Sequence, residues 1–284
     1  MRAISFTKLS GAGNDFILFD NKINPEFGLS SDKIREICDR RNGIGADGVI
    51  IISDLPGYSF DMKYFNADGS SGSLCGNGAR CAIKYGEISG RVNAELTQFK
   101  ANGKDYSGQI LANGQIKFYL NPPKKIKHNF KIKAAGQLIT ASYTDTGSPH
   151  VVINVNDILE NPLKPDSFYK NIDYLPVFEI GREIRYSPEF APEGTNVNFI
   201  ENENGTIKIR TYERGVENET LACGTGSVAA ALIVYGTGNL NPPIRLKVKS
   251  GEILQVDFGT DSGNFKNLSL TGPAEVIYNG ELSI

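Results

Sequence analysis

The chain has 284 residues, 40% of them hydrophobic and 22% charged, the balance expected of a globular protein long enough for two domains. A net charge of −2, with the short basic stretch PPKKIKHNFKIK (122–133) read as a solvated linker, argues against a nucleic acid or a membrane surface as partner. No segment has the run of about 18 apolar residues that spans a bilayer; the start MRAISFTKLSGAGNDF lacks a signal-peptide core, and four scattered cysteines make no disulfide framework, so the cytoplasm is the expected location.

Short alternating strands dominate from the first residues. AISFTKL (3–9) and FILFD (16–20) come first, then a helix over 31–41 with Ser30 or Ser31 as N-cap and Asn42-Gly43 as its stop. GVIII (48–52) and SFDMKYF (59–65) are the next strands, and a helix begins just after Cys75. QIKFYL (115–120) ends at the NPPKK stretch, the expected domain boundary. HVVINV (150–155) and TIKIRTY (206–212) follow, then a helix from just after Cys223 to Gly236. IRLKVK (244–249), EILQVDF (252–258) and FKNLSL (265–270) close the pattern. Helices are too few for regular strand–helix alternation, so the class is α+β.

Two of the cysteines share one local setting. Cys75 lies in SLCGNGARCAIKYG and Cys223 in TLACGTGSVAAALIVYG; each precedes Gly-x-Gly and an Ala/Ile/Val-rich run that reads as a buried helix. Each also follows an alternating strand, FDMKYF in one case and TIKIRTY in the other. This implies two similar halves, each presenting one thiol. A thiol at a helix N-terminus meets unsatisfied backbone N–H groups and the positive end of the helix dipole, which lower its pKa and make it a usable base. The uncovered amides of Gly76-Asn77 and Gly224-Thr225 would suit a carboxylate. Cys38 and Cys81 fall in helical apolar stripes and read as core.

Other motifs fail on context. GIGADG (43–48) matches a dinucleotide fingerprint but follows a helix and precedes a strand, the reverse of what that site needs. There is no Gly-x-Ser-x-Gly elbow and no Cys-x-x-Cys pair, and with only His128 and His150 a metal site is not expected. His150 and Glu213 remain as groups able to tune a nearby thiol, and Arg214 as a fork for a carboxylate or a solvated strand-end charge.

GAGNDF, GIGADG, FNADGS, CGNGARC, GSPH, TNVNF, YERG, ACGTGS and TGPAEVIYNG, in this order, resemble the diaminopimelate epimerase family over essentially the whole length. The resemblance implies a pyridoxal-independent isomerase, without cofactor, that interconverts LL- and meso-diaminopimelate for lysine and peptidoglycan. It implies two-base proton transfer by Cys75 and Cys223, with Gly76, Asn77, Gly224 and Thr225 on the reacting carboxylate. Asn14, Asn66, Asn196, Glu213 and Arg214 would grip the other polar groups, and His150 and Glu213 would be the thiols' electrostatic neighbours. The fold implied is two pseudo-symmetric domains, 1–120 with 274–284 and 121–273. Each would be a barrel-like, mostly antiparallel sheet around a central helix, with the active site in the cleft between them. Tyr278 would lie at a homodimer interface.

The chain departs from the family's pattern twice. Ser148 stands where many members have Asn in the turn before the histidine, and Gly48 stands where some have Gln. Ser148 is kept as a weaker or water-mediated substrate contact, whereas Gly48 offers no side chain. Three alternatives remain: a proline- or hydroxyproline-racemase-like enzyme, a thiol redox switch pairing Cys75 with Cys223, and a non-catalytic amino-acid-binding protein. YERG, with its Arg214, favours a substrate with a second charged end over a cyclic amino acid.

Overall fold

The computed structural model describes residues 3–25, 28–72, 75–93, 96–238 and 240–283. Ser73 and Leu74, which open the first cysteine motif, and Ile284 of the closing strand lie outside them. The chain divides into two compact units, Met1–Leu120 with Thr271–Ile284, and Asn121–Leu270.

The first unit contains β1 (Ala3–Gly11), β2 (Asn14–Asp20), α1 (Ser31–Cys38), β3 (Gly48–Ser53), β4 (Asp61–Asn66), α2 (Gly76–Ile88), β5 (Thr97–Ala101), β6 (Lys104–Ile110) and β7 (Ile116–Tyr119). The second contains β8 (Ile126–Ala134), β9 (Gln137–Asp145), β10 (Pro149–Asn154), α3 (Val177–Arg185), β11 (Asn196–Glu203), β12 (Thr206–Glu213), β13 (Asn218–Thr220), α4 (Gly224–Gly236), β14 (Ile244–Lys247) and β15 (Ile253–Asp261). β16 (Asn264–Gly272) leads out of that unit, and β17 (Glu275–Ser283) pairs antiparallel with β1.

Pairing shows the internal repeat. Along β1-β2-β3-β4-β5-β6 the neighbours are antiparallel, parallel, antiparallel, parallel and antiparallel. Along β9-β10-β11-β12-β14-β15 the same series recurs. Register makes the correspondence residue-specific. Phe16 opposes Gly48 and Gly48 opposes Asn66; His150 opposes Asn196, and Val197 opposes Tyr212 one step before Asn196 reaches Glu213. Asn66 and Glu213 therefore take equivalent strand ends, as do Asn14 and Ser148 two residues before Phe16 and His150. The fold is α+β with two pseudo-symmetric halves.

Each half wraps strands around one helix of 13 residues. α2 packs against β1, β2, β3, β6, β7 and β17, where Ala79, Ala82 and Ile83 meet Leu9, Phe16, Ile50 and Phe118. α4 packs against β8 to β12, β14 and β15, and its residues from Gly226 to Val234 are all buried. A helix apolar on every side has no solvent face to offer, so it settles at the centre of a sheet. Burying Val228, Leu232 and Ile233 there contributes about 1.5–3 kcal/mol apiece. No helix among the described residues is long and apolar enough to cross a membrane.

Three sequence expectations need correction. α1 stops at Cys38 rather than near Arg41, because the Asp39 carboxylate accepts the N–H groups of Arg41 and Asn42 at 2.8 and 2.6 Å and pulls them into a turn. Gly43 closes that turn so tightly that a Cβ would lie 2.2 Å from the Glu36 carbonyl. The basic stretch is no linker: Ile126–Ala134 is a strand paired with β9, its lysines outward and Ile132 and Ala134 buried. α3 was not expected at all; Val177, Ile180, Gly181 and Ile184 are its buried stripe, but Pro176 caps it without a side-chain hydrogen bond.

Candidate functional site

Cys75 and Cys223 occupy the same position in their halves. Each is the N-cap of its helix in extended conformation, with φ −95° and ψ 117° for Cys75 and φ −118° and ψ 110° for Cys223. The glycine after each starts the helix, so the first amides stand uncovered by a Cβ. Beyond this the two thiols differ. Cys75 Sγ accepts the Gly78 N–H at 3.5 Å and is half-buried. Cys223 is buried and makes no such capping bond, but its Sγ lies 3.6 Å from Thr225 Oγ1.

In the first unit the structure joins Cys75, Gly76, Asn77 and Asn14. Asn14 Nδ2 donates to Asp47 Oδ2 at 3.1 Å, so Asn14 Oδ1 faces the other way and accepts from Asn77 Nδ2 at 3.2 Å. Asn77 Oδ1 in turn accepts from Arg80 Nη2 at 3.0 Å. Asp47 belongs to a charged cluster with Asp15, Lys8 and Arg40. Arg40 and Lys8 hold Asp15 below the usual carboxylate range against the opposing effect of burial, whereas burial and the Asp15 charge push Asp47 up. Asn66 ends β4 and donates from Nδ2 to Ser70 Oγ at 3.0 Å within a tight turn.

In the second unit a polar chain reaches Cys223. Val151 O can only accept, so the Asn198 amide must turn Nδ2 toward it, at 2.9 Å. Thr211 Oγ1 then donates to Asn198 Oδ1 at 3.0 Å, and the second Nδ2 hydrogen points at His150 Nδ1 at 3.2 Å. His150 therefore carries its proton on Nε2, an assignment made from the network. Nε2–H faces Ser148 Oγ at 2.9 Å and Thr225 Oγ1 at 3.0 Å. Accepting there leaves the Thr225 hydroxyl hydrogen available to Cys223 Sγ. His150 is fully buried, and burial, with the Arg214 charge adding, pushes its pKa down to about 3. The imidazole is neutral at physiological pH and bears on Cys223 through a hydrogen-bond chain instead of a charge.

The loop after β12 is tied to the same frame. Asn196 Nδ2 donates to Pro149 O at 2.8 Å and its Oδ1 accepts the Arg214 N–H at 2.9 Å, which clamps the His150 turn to the Glu213-Arg214 turn. Glu213 Oε2 accepts from Thr220 Oγ1 at 2.9 Å, and Arg214 Nη1 reaches Glu193 O at 3.3 Å. Gly224 starts α4 and is buried. Ser148 touches His150 directly, and a Cβ on Gly48 would lie 2.6 Å from the Phe65 carbonyl, where Tyr64 fills the space.

Two residues that the structure joins to the site escaped the sequence reading. Asn198 shares a strand face with Asn196, two positions away, and that period-2 pairing was the available signal. Arg80 stands in the Cys75 motif but within a buried helix, where a cation is not expected. Among the described residues, no three His, Cys, Asp or Glu side chains are grouped as a metal ion would need.

With this geometry in hand, comparison with known proteins is informative. The family model for diaminopimelate epimerase matches residues 6–126 and 142–277. The diaminopimelate epimerase of Chlorobaculum tepidum is 39% identical over 279 residues, covering 97% of this chain and 100% of that protein. That of Aquifex aeolicus is 37% identical over 292 residues, covering 99% and 98%. Among solved structures, a PhzF-family phenazine biosynthesis protein from Bacillus anthracis superimposes with a TM-score of 0.72 at 14% identity, covering 100% of both chains. A probable proline racemase from Agrobacterium radiobacter gives a TM-score of 0.72 at 12% identity, covering 99% of this chain and 93% of that one. At such identities these two show a shared fold.

Proposed function

Because the chain belongs to the diaminopimelate epimerase family and is an isomerase, we propose that it interconverts LL- and meso-diaminopimelate by two-base proton transfer between Cys75 and Cys223. The observation that carries this reading is the matched pair of cysteine N-caps on the two buried 13-residue helices. In one direction a Cys75 thiolate takes the α-proton: the Cα–H bond breaks, an S–H bond forms, and the electron pair passes into the carbanion conjugated with the carboxylate. The Cys223 thiol then gives its proton to the opposite face, leaving a thiolate and an inverted centre. In the other direction the roles exchange. The chemistry requires both sulfurs to reach one α-carbon.

The amides at the two helix starts (Gly76-Asn77 and Gly224-Thr225) would stabilise the carboxylate as negative charge spreads onto it. Asn14, Asn66, Glu213 and Arg214, with Ser148 a weaker contact, would hold the amino groups and the distal carboxylate. Asn196 would contribute chiefly by holding the Pro149 and Arg214 backbones in place. His150 would tune Cys223 through Thr225, and Glu213 by its charge. No pyridoxal group enters this chemistry. Lysine and peptidoglycan precursor supply, a cytoplasmic location and a homodimer complete the reading. For the dimer, Tyr278 on β17 is 44% exposed and meets Phe6 edge-on with ring centroids 6.0 Å apart.

Cys75→Ser and Cys223→Ser test the reading directly. Each variant should lose nearly all turnover while keeping its fold, since an alcohol is too weak a base to replace a thiolate. Substantial epimerisation by either variant would refute the two-base assignment.

A further inference from the structure

Arg80 is the largest fully buried side chain among the described residues, with no exposed surface. It lies one helical turn past Cys75, and its side chain folds back toward the start of α2. Nη1 donates to Gly76 O at 3.3 Å, Nη2 to Asn77 Oδ1 at 3.0 Å, and Nε to Pro273 O at 3.4 Å. All three acceptors are neutral. Among the described residues Arg80 forms no ion pair with a carboxylate, and the nearest acid along its hydrogen-bond chain, Asp47, stands beyond two amide groups. A buried cation is costly unless an anion accompanies it, and the positive end of a helix is the worst place to leave one.

The anion must come from the groups around this helix start. On β1 and β2, Leu9 and Phe16 face α2, whereas Lys8 and Asp15 lie on the opposite strand face, paired with each other at 2.8 Å and joined by Arg40 and Asp47. Asp20 on β2 is held by Arg91 and Tyr85. β3 carries no ionisable residue; on β6, Lys104 and Asp105 are exposed and burial keeps the Tyr106 phenol protonated. Lys117 on β7 stacks over Tyr119, and Glu275, Tyr278 and Glu281 on β17 are exposed. On α2 itself, Lys84 and Glu87 pair with each other, and Tyr85 is pushed up by burial. Cys81 is fully buried and burial pushes its thiol up to about 12, so it remains protonated. Cys75 is left. It is half-buried, and its sulfur already accepts the Gly78 N–H at the helix start toward which the guanidinium points.

We propose that Arg80 is the built-in counter-charge of a Cys75 thiolate, so that Cys75 is the resting base and Cys223, whose sulfur lies beside the Thr225 hydroxyl, the resting acid. Arg80 is a positioning residue: it touches no substrate and acts through the field at Cys75. Burial, partly offset by Cys81 and Cys75, pushes Arg80 down to about 10, so it stays a cation at neutral pH. The use of this thiolate in turnover rests on the proposed epimerase reading, but its existence does not and can be measured without substrate.

The test is the pH dependence of iodoacetamide labelling of reduced full-length protein, read peptide by peptide by mass spectrometry. Burial pushes Cys38 up to about 11 as well, so Cys38 and Cys81 label slowly near neutrality. In the unaltered protein Cys75 should reach half-maximal rate at a lower pH than Cys223; the reverse order would overturn the proposal. Arg80→Met should raise the Cys75 midpoint by about one to two pH units and leave the Cys223 midpoint in place. Arg80→Lys, which loses the planar fork but keeps the charge, should stay close to the unaltered protein. Equal shifts in both variants would reduce Arg80 to a packing role. An unchanged Cys75 midpoint in Arg80→Met with only KM raised would assign the charge to a bound carboxylate instead. Normal labelling together with absent epimerisation would fail the epimerase reading and leave the thiolate standing.

Discussion

Thr225→Val separates hydrogen bonding from shape at Cys223. Valine keeps the branched volume but removes the hydroxyl that lies 3.6 Å from Cys223 Sγ and 3.0 Å from His150 Nε2. His150 does not lose its last acceptor, because Ser148 Oγ stands 2.9 Å from the same nitrogen. The fold should therefore change little. The Cys223 thiolate, however, loses a hydrogen bond, and such bonds to charged groups contribute about 1.5–3 kcal/mol. The sulfur contact is long, so the lower end applies, which is about one pH unit in the thiol and about tenfold in a step limited by that thiolate. A thiolate that loses a donor has a higher pKa. The Cys223 labelling midpoint should therefore rise by about one unit, and the pH profile of kcat in the direction that uses Cys223 as base should rise with it. Thr225→Ser, which restores the hydroxyl, should restore both. An unchanged Cys223 midpoint in Thr225→Val, or an equal loss in Thr225→Ser, would refute the relay.

Further outcomes follow from the same frame. Asn198→Leu leaves Val151 O, Thr211 Oγ1 and His150 Nδ1 buried without their partner, so thermal or denaturant unfolding should show a loss of about 3 kcal/mol; a loss under 1 kcal/mol would mean that water replaces the amide. His150 has its folded-state pKa lowered from 6.5 to about 3, so the unfolded chain binds the extra proton first. The associated stability is complete above about pH 6.5 and is lost as pH falls toward 3, by at most about 4–5 kcal/mol. His150→Gln should flatten the stability curve across that window, and an unchanged slope would show that other groups carry it. Gly48→Gln should destabilise by about 1–3 kcal/mol, because its Cβ would press on the Phe65 carbonyl and the Tyr64 ring; a variant as stable as the parent would show that Tyr64 can swing aside.

The two cysteine-capped helices were legible in the sequence because each is announced twice, by Cys-Gly-x-Gly and by the Ala/Ile/Val-rich run after it, so helix and burial follow together. α3 was missed for the opposite reason. Its stripe of Val177, Ile180, Gly181 and Ile184 is broken by a glycine, and no Ser, Thr, Asp or Asn side chain caps it. β8 read as linker because Lys127, Lys131 and Lys133 alternate with residues of which only Ile132 and Ala134 are fully covered, near the strand's end. Site residues that meet across strand pairs were visible only as types. That His150 is neutral, and that Asn196 clamps backbone while Asn198 fixes a tautomer, depends on parallel pairing between β10 and β11, residues far apart along the chain. Arg80 went unassigned because a buried cation acquires meaning only once its neighbours are known to be neutral.

Incubation of the reduced protein with LL-diaminopimelate in D₂O, without pyridoxal phosphate, tests the central claim most directly. Two-base transfer predicts meso-diaminopimelate carrying deuterium at the inverted α-carbon, seen by NMR. No meso product and no deuterium from folded, reduced protein would contradict it.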